Sequence, residues 1–146
     1  MPEKETLERA AKDKAEGKAP STQAGEFVRE EIEHVREGKH GARSTKQAIA
    51  IGLSKARRAG VELPAPKKGS KKIREQAKRE LSKAKKGRQA TKSTKRSRAI
   101  SKALKKEGHS AASKSALSRQ ARSAAAKRSA ASRSRSAKKA AATRKK

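Results

Sequence analysis

The sequence predicts a mainly α protein: a small helical hairpin unit, followed by loosely packed basic helices and a disordered basic tail. Three observations carry this. Leu, Ile, Val and Phe number 15 of 146 residues, and nine of them (Phe27, Val28, Ile32, Val35, Ile49, Ile51, Leu53, Val61 and Leu63) lie within 37 positions. A chain so poor in large apolar residues and so rich in charge cannot close a large core, so folding is expected where those nine stand. The apolar residues recur at helical rather than alternating spacing. Finally, 43 Lys and Arg stand against 14 Asp and Glu, for a net charge of +29. Residues 1–40 hold 10 acids and 8 bases, a net of −2, whereas residues 41–146 hold 4 acids and 35 bases, a net of +31.

Taken in order, residues 1–19 mix charges at helical spacing with Leu7 as the only large aliphatic after Met1, which predicts a solvated, mobile helix. Pro20 interrupts it, and Ser21 or Thr22 can cap a second helix running to about Glu37. There Ala24, Val28, Ile32 and Val35 form the apolar stripe, with Phe27 beside them and Glu26, Glu30, Glu33 and Glu37 on the other face. Gly38 and Gly41 frame a short turn. Two amphipathic helices on so short a connection pack antiparallel.

Residues 44–60, S-T-K-Q-A-I-A-I-G-L-S-K-A-R-R-A-G, form the hub. Ser44 and Gln47 make a capping box, and Gly60 followed by Val61 is a left-handed stop. Between them Ala48, Ile49, Ile51, Gly52, Leu53, Ala56 and Ala59 cover an arc of roughly 200°. Lys46, Ser54, Arg57 and Arg58 fill the rest. Leu63-Pro64-Ala65-Pro66 ends the unit. A partner helix or a dimer through residues 22–63 would complete so small a core.

Beyond it, residues 71–86 carry a thin stripe of Ile73, Ala77, Leu81 and Ala84 before Gly87. Residues 94–107 carry Ile100, Ala103 and Leu104 before Gly108, and residues 110–128 are alanine-rich with Leu117 their one large aliphatic. The phrase L-S-K-A-R-R at 53–58 returns as L-S-K-A-K-K at 81–86 and L-S-R-Q-A-R at 117–122. These spacings are irregular, which argues against a solenoid of fixed period and points to degenerate copies of one basic helix or to biased composition. Residues 129–146 are low-complexity. The chain thus divides into 1–19, 20–66, 67–128 and 129–146. Leu53→Asp is expected to unfold the hairpin unit, and Leu117→Asp to leave it intact.

The segment G-E-F-V-R-E-E-I-E-H-V-R-E-G-K-H-G-A-R-S-T-K-Q-A-I-A-I-G-L-S-K-A-R-R-A-G, residues 25–60, resembles a family of small basic bacterial proteins of unknown function. Its marks are a helix ending in a glycine- and histidine-containing turn, then a Ser/Thr-Lys-Gln-Ala-Ile-Ala-Ile-x-Leu-Ser helix. Some members carry names such as DNA-binding or plasmid-stabilisation protein. The Lys/Ala/Ser/Arg-rich remainder is similar to bacterial linker-histone-like tails. The resemblance implies no established activity.

Cysteine is absent, which rules out disulfides and thiolate metal sites. No stretch approaches the ~20 apolar residues of a membrane span, and no signal peptide is expected. His34, His40 and His109 have no carboxylate or thiol spaced to complete a metal site and read as solvated. Glu33 stands where a phosphate loop ending at Gly38-Lys39 needs glycine, and none of the 17 serines sits in G-x-S-x-G. No enzyme, cofactor, metal or small-molecule substrate is expected.

The cations carry the remaining chemistry. Lys and Arg neutralise phosphates and release counterions independently of base sequence. Single-strand and RNA modules stack bases on aromatics, and this chain has only Phe27. The expectation is therefore a cytoplasmic, nucleoid-associated, histone-like protein binding duplex DNA without sequence specificity. Its contacts are expected from Lys46, Lys55, Arg57, Arg58, Lys83, Lys85, Lys86, Lys102, Lys105, Lys106, Arg119, Arg122, Lys127 and Arg128. The solvated-surface reading leaves the self-repulsion of +29 uncompensated. RNA or ribosome binding is the first alternative, and a protein-interaction module with a basic avidity tail the second. A narrower variant has Lys46 and Gln47 reading bases from the start of a recognition helix. Glu26, Glu30, Glu33 and Glu37 are expected to face outward and restrain binding by pairing with the basic tail.

Overall fold

The hub helix starts and stops where its flanking residues dictate. In a computed structural model, which describes residues 1–87 and 93–144, the helices are α1 (Lys4–Ala15), α2 (Pro20–Arg36), α3 (Thr45–Arg58), α4 (Lys71–Lys85), α5 (Thr94–Lys105), α6 (Lys114–Ala126) and α7 (Ala130–Arg144). A 3-10 turn, Ser110–Ala112, precedes α6, and the described residues contain no strand. The protein is mainly α, as its sequence pattern predicts.

At the start of α3, Ser44 Oγ accepts the Gln47 amide at 3.2 Å. Gln47 Oε1 returns to the amide of Arg43 at 2.7 Å, one residue before the usual reciprocal partner. At its end Gly60 takes φ 94°. Val61 N–H then reaches Ala56 O at 3.0 Å and Gly60 N–H reaches Arg57 O at 3.1 Å, the paired bonds of a Schellman stop. For α2 the expected side-chain cap is replaced: Pro20 enters the first turn behind Ala19, and neither Ser21 nor Thr22 caps it. Proline is suited there because its missing N–H had no partner to lose.

α2 and α3 pair antiparallel. Ala24 and Phe27 cluster with Ala56, while Val35 clusters with Ala48. Midway, Gly52 lets the helix backbones touch, since a Cβ there would lie 2.6 Å from Val28 Cα. α4 packs on α3 through Ala77 and Glu80, whose carboxylate accepts from Ser54. Ile73, expected in its apolar stripe, is 60% exposed.

Three expectations are corrected. α1 is docked on α2 rather than solvated: Thr6, Ala10 and Asp13 are buried, and Arg9 Nε donates to Glu26 Oε2 at 2.7 Å. The tail is helical from Ala130 to Arg144 rather than disordered, as its alanines favour; it buries no residue. Most consequential, residues 104–117 return to the hairpin. Gly41 N–H donates to Leu104 O at 2.9 Å, Ala42 N–H to Gly108 O at 3.0 Å, Thr45 Oγ1 to Ala111 O at 2.6 Å, and Arg36 Nε to Ala112 O at 2.9 Å. Ala111 and Ala112 join the cluster of Ile32, Val35, Ala42 and Ala48, and Leu117 packs against it. This segment takes the place that the sequence left to a partner helix.

Gly41→Ala and Leu117→Asp should therefore both destabilise the unit. A Cβ at Gly41 would meet Glu107 O, a backbone atom that cannot swing aside. Urea unfolding should give losses of about 1–3 kcal/mol for Gly41→Ala and at least as much for Leu117→Asp. Ile100→Asp, at a site 55% exposed, should stay within about 0.5 kcal/mol of the parent.

Candidate nucleic-acid interface

The cations sort into two populations. Lys55 and Arg57, both expected to contact phosphates, are turned inward. Lys55 Nζ lies 3.1 Å from Glu30 Oε1 and 2.7 Å from Glu31 Oε2, with its side chain 16% exposed. Arg57 is buried, and its guanidinium donates to the carbonyls of Leu63 at 3.2 Å and Pro64 at 3.3 Å, clamping the chain that leaves α3. Both are corrected to structural roles. Helical spacing tells which residues share a face, but not what crosses over it.

Lys46 and Arg58 are exposed on α3. Lys46 lines an open, hydroxyl-rich cleft where the first turns of α3 and α6 converge, together with Arg43, Ser44, Ser113, Ser115 and Arg119. Ser44 caps α3, and Ser113 Oγ caps α6 by accepting from Ala116 N–H at 3.2 Å. Helix N-termini carry partial positive charge and free amides, so the cleft combines two such ends with three cationic side chains. Arg43 was missed; its only sequence signal is its place directly before a capping serine. Gln47, the second residue of the base-reading variant, has its side-chain oxygen engaged by Arg43 N–H.

A second basic surface runs along α5, where Arg98, Ser101, Lys102, Lys105 and Lys106 line one open groove. Lys102, Lys105 and Lys106 were expected there, and Arg98 completes the stripe. Lys83, Lys85 and Lys86 are exposed at the end of α4 and just beyond it, with Lys85 in a long 3.8 Å contact to Glu62. Arg119, Arg122, Lys127 and Arg128 are exposed on or after α6, and Arg128 donates to Ser132 O at 3.1 Å. None of the cations of α5, α6 or α7 forms an ion pair among the described residues.

The acids occupy the opposite situation. Glu30 and Glu31 are 2% and 1% exposed, so Glu30 does not face outward. Glu26 pairs with Arg9, Glu33 with Arg29 at 3.0 Å, and Glu37 with Lys39 at 3.1 Å. These three are paired with cations of α1, α2 and the following turn while staying partly exposed, so the outward face holds three of the four expected glutamates. Burial works to raise the Glu30 pKa, but the amide of Glu3, the Lys55 ammonium and the Thr6 hydroxyl outweigh it and hold the carboxyl below its usual value. Burial likewise opposes the charge on Lys55, yet Glu31 and then Glu30 keep its pKa raised. At the surface, hydrogen bonds from His34 and Lys39 hold Glu3 down to about 2. His34 and His40 are not solvated: their side chains are 13% and 16% exposed, and each meets a carboxylate at 2.9 Å.

Residues 9–69 match a family of unknown function, DUF6496. The match starts inside α1 and ends just before α4, a wider span than the resemblance over 25–60. No curated protein and no solved structure matches. Among the described residues no helix is long and apolar enough to cross a membrane.

Two outcomes test this division. Lys55→Met strands two buried carboxylates and should cost about 3–5 kcal/mol in urea unfolding, whereas Arg58→Met, at an exposed site, should stay within about 0.5 kcal/mol. The pH dependence follows from Glu3 and Glu30, whose folded pKa values lie below their usual value near 4.5. Such groups stabilise above the unfolded pKa and lose that contribution as pH falls through the folded one. The urea midpoint should drop from pH 4.5 towards about 2, and Glu3→Gln should remove part of the decline.

Proposed function

We propose that this protein binds duplex DNA without sequence specificity, by phosphate neutralisation, as a nucleoid-associated protein. One observation carries the reading: residues 93–144 hold 16 Lys and Arg against the single Glu107, and among the described residues no helix there buries a cation against a carboxylate. The buried acids of the hairpin unit are paired within it, so among the described residues the cations of α5, α6 and α7 lie on surfaces with no acidic partner in the chain. A polyanion supplies that partner and gains from counterion release. The sole aromatic residue, Phe27, is 1% exposed, so no aromatic platform is offered to unstacked bases. This favours a duplex held by its backbone over single strands or looped RNA. The reading is of a binding protein, with no reaction assigned to it.

Fluorescence anisotropy across a salt series tests it. With about eight phosphates neutralised, log affinity against log salt should fall with a slope near −7, and unrelated duplexes should bind alike. Lys46→Gln and Arg119→Gln should each make the slope shallower by about 1. A shallow slope with strong discrimination between duplexes would overturn the reading, and tighter binding of structured RNA than of duplex DNA would transfer it to RNA.

A further inference from the structure

Glu31, His34 and His40 bring ligand atoms to within 4.8 Å of one another. Glu31 and His34 stand three residues apart on α2, hence on one face. His40 arrives by a backbone device. Gly38 at φ 74° closes a second Schellman stop, with Lys39 N–H on His34 O at 3.0 Å and Gly38 N–H on Val35 O at 3.3 Å, and the chain folds back over the end of α2. His40 Nε2 then sits 2.9 Å from Glu31 Oε1, and the His34 and His40 rings meet edge to face with centroids 6.1 Å apart.

We propose that this cluster is a binding site for a divalent transition-metal ion, with zinc the best match. Two histidines and a glutamate form an established zinc donor set, leaving a further position open. His40 Nδ1 lies 3.0 Å from Gly41 O, where only an N–H is favourable. With Nδ1–H donated there, Nε2 is left as the unprotonated nitrogen, 2.9 Å from Glu31 Oε1, the outer-shell arrangement usual for a metal-bound histidine. A neutral ring so held faces the carboxylate acceptor to acceptor, and a cation between them resolves the conflict. Glu31 is 1% exposed, and its Oε2 lies 2.7 Å from Lys55 Nζ. Binding through Oε1 leaves that charge contact in place.

The local charge suits a dication despite the basic chain. Glu3, Glu30 and Glu31 oppose Lys39 and Lys55 around the two rings, a net of −1 with neutral histidines. Glu3, whose Oε1 is 2.9 Å from His34 Nε2, is at hand as a fourth ligand. A tetrahedral ion at about 2.0–2.1 Å from each donor needs them about 3.3 Å apart. The donors stand from 2.9 Å apart, for His40 Nε2 and Glu31 Oε1, to at most 4.8 Å, a range that brackets that spacing.

The test is a titration of full-length, nucleic-acid-free protein with Zn²⁺ alone at neutral pH. Calorimetry should show one saturable site per chain. Because the chain has only three histidines, long-range ¹H–¹⁵N spectra can follow each ring. Those of His34 and His40 should shift together to saturation while His109 stays in place. His40→Gln and Glu31→Gln should weaken binding by at least about tenfold, and His109→Gln should not, with circular dichroism reporting the fold of each variant. Should the cluster variants unfold, the imidazole spectra of the parent protein decide alone. Absence of a saturable site, equal shifts at all three rings, or full affinity in a folded His34→Gln/His40→Gln protein would overturn the proposal.

Discussion

The structure depends on one half-buried cation. Lys55 reaches from α3 into α2 and sits between Glu30 and Glu31, both almost fully buried. Each carboxylate then holds something else. Glu30 accepts the amide of Glu3 at 3.0 Å, which fixes the start of α1, and Glu31 meets His40, which fixes the turn between α2 and α3. Two buried carboxylates are costly unless they are paired, and a single ammonium shared by both ties three helices and a turn into one unit. The short apolar inventory is sufficient because the remaining contacts are polar.

The return of residues 104–117 has a consequence for function. Its grip is mostly backbone: the amides of Gly41 and Ala42, the Thr45 hydroxyl and the Arg36 guanidinium each take a carbonyl between Leu104 and Ala112. The contact sets the first turn of α6 beside that of α3, and the cleft lined by Arg43, Lys46 and Arg119 is the result. α5 is tied near its C-terminal end through Leu104 O, while the cations of its open groove remain unpaired.

Legibility in the sequence follows the kind of contact. Caps and stops are local, so Ser44, Gly60 and Gly87 mark helix boundaries that the structure keeps. The apolar stripe of α2 and the arc of α3 are periodic, and their antiparallel pairing was readable from them. The docking of α1 was not, because it rests on Thr6, Ala10, Asp13 and an Arg9–Glu26 pair instead of aliphatic side chains. The return segment meets the hairpin largely through alanines and carbonyls, which carry no sequence signature. Lys55 and Arg57 looked open because a helical wheel shows a polar side chain at the border of the buried arc without showing a partner across it. The Glu31–His34–His40 cluster was hidden for a similar reason: the turn at Gly38 brings His40 back to a residue nine positions earlier.

The central claim is that the cations turned inward in the hairpin unit, Lys55 and Arg57, are structural and that the exposed ones, Lys46 among them, meet a polyanion. Lysine acetylation, read residue by residue by mass spectrometry with and without duplex DNA at low salt, tests it in one measurement. Lys55 should react slowly in both states, while Lys46, Lys102, Lys105 and Lys106 should react quickly in the free protein and become protected when duplex is added. A Lys55 as reactive as Lys46 in the free protein, or open lysines whose reactivity is unchanged by duplex, would contradict the account.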